Sequence, residues 1–592
     1  MIRFPIFASI VALSLFLSID ARADQPLKRL LNYYDDHFDE QQHMLEVEFR
    51  SPGYHSKIPS GVLVHPTRES LYYAIALLKR NQKGDVPRAH QIIGKVLPFQ
   101  ETQQSSPAYG VWPWVTEEPL DQMGSVDLNW ADFCGSAIAQ LLVDHSDQLS
   151  SPLRQEMKTS LRHAAKAIQR RDVQPGYTNI AILGGGVCAI AGEQLNDKQL
   201  LDYGQRRLEN IVRYTDTIDG FTEYNSPTYG KVVIGESERI LQLAKSKRVR
   251  SAAESLRTSA WQMIGESFHP ATQQWAGPHS RTSSLHLSHT MVEFLNARIE
   301  ADDNFTIEPH PNSYRERPRG YAVVTPIPCP AKWLKQIKDP VAKNLQLRRT
   351  FILKRGSTPA TVGTTWFSGP ACLGSVSLSS FWTQRKPVVA YWKTDQDPAV
   401  AFRIRFLHDG SDFSSMGLRT SQDRNRVLCA FHSLQRRGDW HRTLDRPADG
   451  VFQAKDLRLR LELNGTGVSA HKLADGKFAL RAGNHEMIVY PAESDFAGKA
   501  VDWVVKNKPG TAAIEAVCYS GESKDFNFSK PLDVKVAVGI ELRSTHAASG
   551  PESAIAQPNL LTRQGKVIAH WNTGLNSKAT AASLSIAVPN GQ

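Results

Sequence analysis

The chain has 592 residues, 41% of them hydrophobic and 22% charged, which is too long for one core and too rich in core-forming residues for a disordered chain. The formal charge is +11, and no phosphate-loop or zinc-ribbon signature accompanies it, so nucleic acid is not an expected partner. A basic chain of this kind suits an acidic substrate or an anionic surface.

The N-terminus reads as a separate object. Arg3 precedes a largely apolar run from Phe4 to Ile19, and Ala21-Arg22-Ala23 offers a small-x-small cleavage site. Residues 1–23 are therefore expected to be a removable secretory signal peptide, leading to a secreted or periplasmic protein. No later stretch is long and apolar enough to cross a bilayer, so no stable membrane insertion is expected.

From residue 24 to about 310 the apolar residues recur at three and four. Phe133, Ala137 and Leu141 share one face, as do Met157, Leu161, Ala164, Ala165 and Ile168, with Lys158, Arg162 and Lys166 opposite. Further helices are predicted over Leu71 to Leu78, Asn179 to Ala191, Leu200 to Val212, Ile234 to Leu243 and Ala252 to Ile264. Short amphipathic helices in succession predict antiparallel pairs, closed into an α/α toroid or left as an open solenoid. Gly184-Gly185-Gly186 lacks the Lys-Ser/Thr of a phosphate loop and reads as a close helix contact.

Residues 309–330 hold six prolines and read as a linker. Beyond it, residues 311–592 carry period-two or β-branched runs, among them Leu345 to Leu353, Val388 to Trp392, Val400 to Phe406, Arg426 to Phe431 and Val534 to Leu542. Such runs, separated by Gly, Asp, Asn and Pro, predict a large antiparallel β-sandwich. The expected class is thus α+β multidomain. The six cysteines form no CxxC pair, and Cys134 and Cys188 sit among small apolar residues, where buried free thiols are the plain reading.

Three segments at helix junctions are too polar and aromatic for plain connections. They are Pro175-Gly-Tyr-Thr-Asn-Ile180, Gly220-Phe-Thr-Glu-Tyr-Asn-Ser-Pro-Thr-Tyr229 and Trp275-Ala-Gly-Pro-His-Ser-Arg281. Together they hold the parts for abstracting a proton beside a carboxylate. Asn179 offers an amide to an enolate, a contribution of ~10²–10³ in rate for one preorganised donor. Tyr229 or Tyr224 can take a proton as tyrosinate or give one to a departing oxygen. His279 can serve as the other member of the pair, and Arg281 can lower a phenol pKa and bind an anionic sugar. Each residue also has a plain reading: Asn179 as a helix cap, the tyrosines as packing aromatics, Glu223 as an ion-pair partner and His279 as a solvated turn histidine.

These Tyr-Thr-Asn, Glu-Tyr-Asn-Ser-Pro-Thr-Tyr and Gly-Pro-His-Ser-Arg segments, with helices before strands, resemble the toroid-plus-antiparallel-sheet polysaccharide lyases. That group includes heparinase II/III-like, chondroitin, alginate and glucuronan lyases. The resemblance implies β-elimination on a uronate polymer, with Asn179, Tyr229 or Tyr224, His279 and Arg281 in the cleft. Glu223 and Asn225 would shape the subsite. Trp112, Trp114 and Trp130 are candidate sugar-stacking platforms, with core packing as the alternative. In the strand half, His408, His432 and Asp439-Trp-His-Arg442 are polar clusters that the sandwich could turn toward the cleft. No tight ligand spacing supports a metal, and no cofactor is expected. A glycoside hydrolase on the same scaffold, with two carboxylates, is the rival enzyme; a non-catalytic glycan-binding protein is the rival from another class.

Overall fold

The computed structural model describes residues 25–218, 220–299, 305–318, 320–339, 345–434, 438–530, 532–545, 555–564, 566–573 and 583–589. The expected signal peptide, residues 1–23, lies outside the described residues. Among those described, no helix is long and apolar enough to cross a membrane.

The helices are α1 (residues 25–35), α2 (Thr67–Arg80), α3 (Asp85–Val96), α4 (Trp130–Asp144), α5 (Ser151–Arg171) and α6 (Thr178–Leu195). They continue with α7 (Lys198–Ile218), α8 (Pro227–Leu243), α9 (Lys247–Ser267), α10 (His289–Asn296) and α11 (Ala331–Lys338). From α2 onward they pack as consecutive pairs, α2 with α3, α4 with α5, α6 with α7 and α8 with α9. The first members of the pairs also pack side by side, α2 on α4, α4 on α6 and α6 on α8, making a curved inner row. Composition decides the layer. The first fifteen residues of α6, Thr178 to Gly192, are all buried, as an inner helix requires, whereas α5 and α7 keep a charged outer face.

The glycine triplet makes this row possible. A β-carbon at Gly184 would lie 2.5 Å from Asp132 Oδ1 of α4 and 2.8 Å from Ile168 of α5. One at Gly185 would meet Leu208 of α7 at 2.9 Å, and one at Gly186 would meet Ile240 of α8 at 2.6 Å. Successive glycines thus admit neighbours on three sides of α6.

Helical structure continues past residue 310. The proline-rich stretch folds back onto the helices: the Val323 carbonyl accepts from Gln140 Nε2 at 3.1 Å, and the Cys329 N–H donates to the Arg298 carbonyl at 2.7 Å. Helix α11 then packs on α9, with Trp333 over Gly265. The first strand of the sheets begins at Leu345.

The strands form two large antiparallel sheets. One runs, in spatial order, Asp502–Lys508, Thr511–Asn527, Val451–Asn464, Val400–His408, Val388–Trp392, Ala371–Val376, Thr361–Phe367, Leu345–Ile352. The other is built on Leu378–Ser380, Met416–Asp423, Arg426–Ser433, Val534–Ser544, His485–Pro491, Phe478–Ala482 and Ser469–Lys472. Alternate residues of both, such as Phe402, Leu459 and Leu461 facing Val427, Cys429 and Val538, meet in one apolar core, which defines a sandwich. A small sheet of Asn559–Arg563, Lys566–Asn572 and Ser583–Pro589 covers part of the second sheet, with Trp571 against Gly539. All six cysteines are free and buried.

The helical and strand halves meet along the segment Trp275 to Thr282. His279 and Lys386 form a β-bridge, each N–H donating to the other's carbonyl at 3.0 Å. Thr365 Oγ1 donates to the Gly277 carbonyl at 2.6 Å, and the Thr282 N–H to the Gln384 carbonyl at 2.7 Å. The backbone of Gly277 lies directly on Gly374, where any β-carbon would collide with the Gly277 carbonyl.

Candidate active site

A cleft of about 1380 Å³ opens where the halves meet. The helical half contributes Tyr177, Thr222, Glu223, Tyr224, Ser280 and Arg281 to its walls. The strand half contributes the loops around residues 352–361 and 379–385, together with Arg419, His432, His441 and Arg442.

The three segments singled out in the sequence do converge. Helix α6 starts at Thr178 without a side-chain cap of its own. Glu223 supplies one from a distance: its Oε2 accepts the Asn179 N–H at 2.9 Å, a favourable place for a carboxylate at a helix N-terminus. Its Oε1 accepts from Arg281 Nη1 at 2.7 Å. Arg281 also donates from Nε to Gln384 Oε1 at 3.0 Å, and its guanidinium lies 4.0 Å from the centre of the Tyr229 ring. Tyr229 is held by Ser-Pro-Thr-Tyr, an N-cap motif: Ser226 Oγ accepts the Tyr229 N–H at 3.1 Å, and Pro227 occupies the first turn of α8. Asn179, Glu223, Arg281 and Tyr229 therefore form one chain of contacts.

Asn179 is not the cap of its helix. It is 3% exposed, and its Oδ1 has no hydrogen-bond partner among the described residues. A buried amide oxygen left so costs about 1–3 kcal/mol, which a bound hydrogen-bond donor such as a hydroxyl would relieve.

Burial pushes the Tyr229 phenol well above the ordinary tyrosine value, Arg281 opposes this and Glu223 reinforces it. The lowering expected from Arg281 is present but outweighed, and Tyr229 rests as a phenol. Tyr224 is 4% exposed and stacks on Phe351 at 4.3 Å; burial raises its phenol too. It touches the cleft wall as a packing aromatic, and its carbonyl accepts from Ser280 Oγ at 2.6 Å.

His279 is placed elsewhere. It is 2% exposed and, like Asn179 and Tyr229, is not among the residues that line the cleft, but it faces the Asn225 backbone and Lys386 instead of the Glu223–Arg281 pair. Its Nδ1 faces the Asn225 carbonyl at 2.7 Å, and burial, with Lys386 nearby, pushes its pKa down to about 4. It is a neutral buried ring that fixes the segment to the sheet. Asn225, at φ 45°, is a clamp on the same segment: its Nδ2 donates to the carbonyls of Ala276 and of Pro278, the latter at 2.9 Å, and its Oδ1 accepts from Trp275.

The three tryptophans are packing residues and not cleft walls. Trp112 is fully buried and donates to the Val96 carbonyl at 3.2 Å. Trp130 is 8% exposed, bonded to Thr67 Oγ1 at 3.2 Å and covered by Arg68 at 4.5 Å. Trp114 is bonded to Asp127 at 3.2 Å and packs on Trp130 at 5.2 Å.

Other aromatic rings, Trp382, His441 and Tyr177, line the cleft. Trp382 lines the cleft with Arg281 at 5.1 Å and Arg442 at 5.0 Å from its ring centre. His441 lies 5.2 Å from Trp382 and 4.7 Å from Tyr54, centre to centre. Its Nδ1 accepts from the backbone N–H groups of Thr443 at 3.3 Å and Leu444 at 3.2 Å. Those groups only donate, so the neutral ring carries its proton on Nε2. Burial, with Arg442, Arg281 and His55, holds the pKa of His441 down to about 4. Tyr177, one residue before α6, receives Asn129 Nδ2 on its hydroxyl at 3.1 Å. His441 belongs to a cluster visible in the sequence, and Tyr177 to a segment already singled out; Tyr54 and Trp382 carry no local signal.

The charge balance of the cleft is one-sided. Arg281, Lys354, Arg355, Arg385, Arg419, Arg442 and Lys566 line it, against Glu223 as the one carboxylate among the described lining residues.

The architecture is thus α+β, paired helices followed by antiparallel sheets with a basic cleft at their junction. A family model described as a domain of unknown function (DUF8769) matches residues 29–299. No curated protein sequence matches the chain. Solved structures similar to it include heparinase III, at 11% identity and TM-score 0.39, covering 96% of this chain and 91% of that one. Chondroitin AC lyase from Streptomyces coelicolor A3 is similar at 10% identity and TM-score 0.43, covering 96% and 94%. Endoglucanase CelQ from Clostridium thermocellum is similar at 9% identity and TM-score 0.25, covering 90% and 84%.

Proposed function

We propose that the protein is an exported lyase that cleaves a uronate-containing polysaccharide by β-elimination in this cleft. The observation that carries the reading is the contact chain Asn179–Glu223–Arg281–Tyr229: Glu223 and Arg281 line the cleft, Asn179 and Tyr229 contact them from behind, and among the described lining residues seven cations meet one carboxylate. The export part rests on residues 1–23.

In the proposed reaction the substrate carboxylate accepts from Arg281 and from the Nδ2–H of Asn179, while a sugar hydroxyl donates to the Asn179 Oδ1. Neutralising it lets the charge left by the C5 proton spread into the carboxylate. Tyr229, as tyrosinate, takes that proton. The C4–O bond then breaks, a C4–C5 double bond forms, and the same hydroxyl returns the proton to the departing oxygen. His441 takes the role expected of His279, as the histidine of the site. Its Nε2–H is a neutral donor to developing charge. Glu223 holds Arg281 and the start of α6 in register. A hydrolase would need two carboxylates flanking the bond, and Glu223, already engaged twice, stands alone among the described lining residues.

The test is a scan of acidic glycans for the ultraviolet absorbance of a 4,5-unsaturated uronate. Wild type gives a rise on at least one polymer, Tyr229→Phe lowers the rate ~10²–10⁴-fold, and His279→Gln keeps most of it. Folded wild-type protein that gives no rise on any acidic polymer, or a Tyr229→Phe protein as active as wild type, rejects the proposal.

A further inference from the structure

The strand side of the cleft holds a second group of polar side chains that the elimination chemistry does not use. Arg419 and His432 lie on neighbouring strands, where Gly417 pairs with His432 and Arg419 with Ala430. Residues two apart on a strand share a face, so both side chains stand on the same side of the sheet. Gly417 makes room for the imidazole, since a β-carbon there would lie 2.6 Å from His432 Nε2.

Both side chains are short of partners. Arg419 donates from Nη1 to the Ala587 carbonyl at 2.8 Å, while its Nε is buried with none. No carboxylate among the described residues lies within ion-pair distance of it. His432 is 5% exposed, and its Nδ1 is buried without a partner. Burial holds the guanidinium below its ordinary value with no acid to offset it, and burial with Arg419 pushes His432 down to about 4. A half-buried guanidinium with a buried, unpartnered N–H and no counter-charge is completed by an anion. Both residues line the same cleft as Arg281 and Lys566; Arg419 bonds Ala587, whose strand pairs with that of Lys566.

We infer that Arg419 and His432, with Lys566, form an oxyanion subsite that binds a second anionic substituent of the polymer, apart from the carboxylate held by Arg281. A guanidinium with free N–H groups suits sulfate or carboxylate oxygens, and His432 supplies a neutral ring nitrogen beside it. The substituent is either a sulfate ester or the carboxylate of another uronate. The inference rests on reading the cleft as a site for an acidic polymer, but it can be tested without turnover.

Inorganic sulfate and, separately, acetate are titrated by calorimetry into the full chain. Wild type binds at least one of them. Arg419→Gln weakens that binding roughly tenfold or more, Arg419→Lys restores part of it, and Arg281→Gln leaves the Arg419-dependent binding in place. Absence of binding by wild type, or equal binding by wild type and Arg419→Gln, overturns the subsite. A matched polymer pair then assigns the source. If Arg419→Gln weakens binding of a sulfated polymer but not of its desulfated form, a sulfate ester is bound; if it weakens both, a carboxylate is. Circular dichroism of each variant confirms the fold. An Arg419 effect on ion binding in a protein with no eliminase activity would retain the subsite and reject only the reaction.

Discussion

Tyr229 carries two opposing influences that a rate profile can separate. Its ring faces Arg281 at 4.0 Å, which favours the tyrosinate, while burial favours the phenol and prevails. If the tyrosinate removes the C5 proton, only the minor ionised fraction reacts near neutrality. The expected kcat/KM then rises about tenfold per pH unit from about pH 7 to about pH 9, with no plateau until Tyr229 itself titrates. Arg281→Gln should move that rise further to alkaline pH, because it removes the cation opposing the burial shift. A flat profile over the same interval would assign proton abstraction to another group. His441 does not produce such a rise, since it is already neutral well below that range.

At the scale of elements, the segment Trp275 to Thr282 decides where the site lies, and Gly374 decides where the segment lies. The Gly277 carbonyl occupies the space of a β-carbon on Gly374. Gly374→Ala should therefore lift the segment from the sheet, carrying Arg281 away from Glu223 and Tyr229. The expected cost is about 1–3 kcal/mol of stability, as for an overpacked core, with a loss of activity larger than the stability change explains. A thermal melt with the rate measured well below the transition checks it; unchanged kinetics would show that the contact does not position Arg281. This dependence was not legible in the sequence. Helices α4 to α9 were, because their apolar spacing is regular, and so was the strand Val388–Trp392, a continuous apolar run. Thr361–Phe367 and Met416–Asp423 were not, since Thr, Gly and polar residues interrupt their pattern. At the site, clusters of Tyr, Asn and Arg marked the convergent segments. Which side chain faces the cleft depends on long-range pairing: the bridge to Lys386 turns His279 inward, while the loop of residues 441–444 places His441 at the cleft.

For the molecule as a whole, charge and position reinforce each other. The chain carries +11, and seven cationic side chains line the cleft between its halves. Low-dielectric walls concentrate such a field, drawing an acidic polymer in before any contact forms. Salt shortens the reach of that attraction from about 10 Å at 0.1 M to about 3 Å at 1 M. KM for an acidic polymer should therefore rise steeply with ionic strength. By contrast, kcat should change little, because the Arg281–Glu223 pair at 2.7 Å and the Tyr229 ring lie in close, partly buried contact where screening is weak. A carboxyl-reduced version of the same polymer separates steering from shape. Its binding should be weak at all salt concentrations and nearly independent of them. If the native polymer bound equally well at low and high salt, recognition would rest on sugar hydroxyls and aromatic faces such as Trp382, and the basic lining would serve solubility instead.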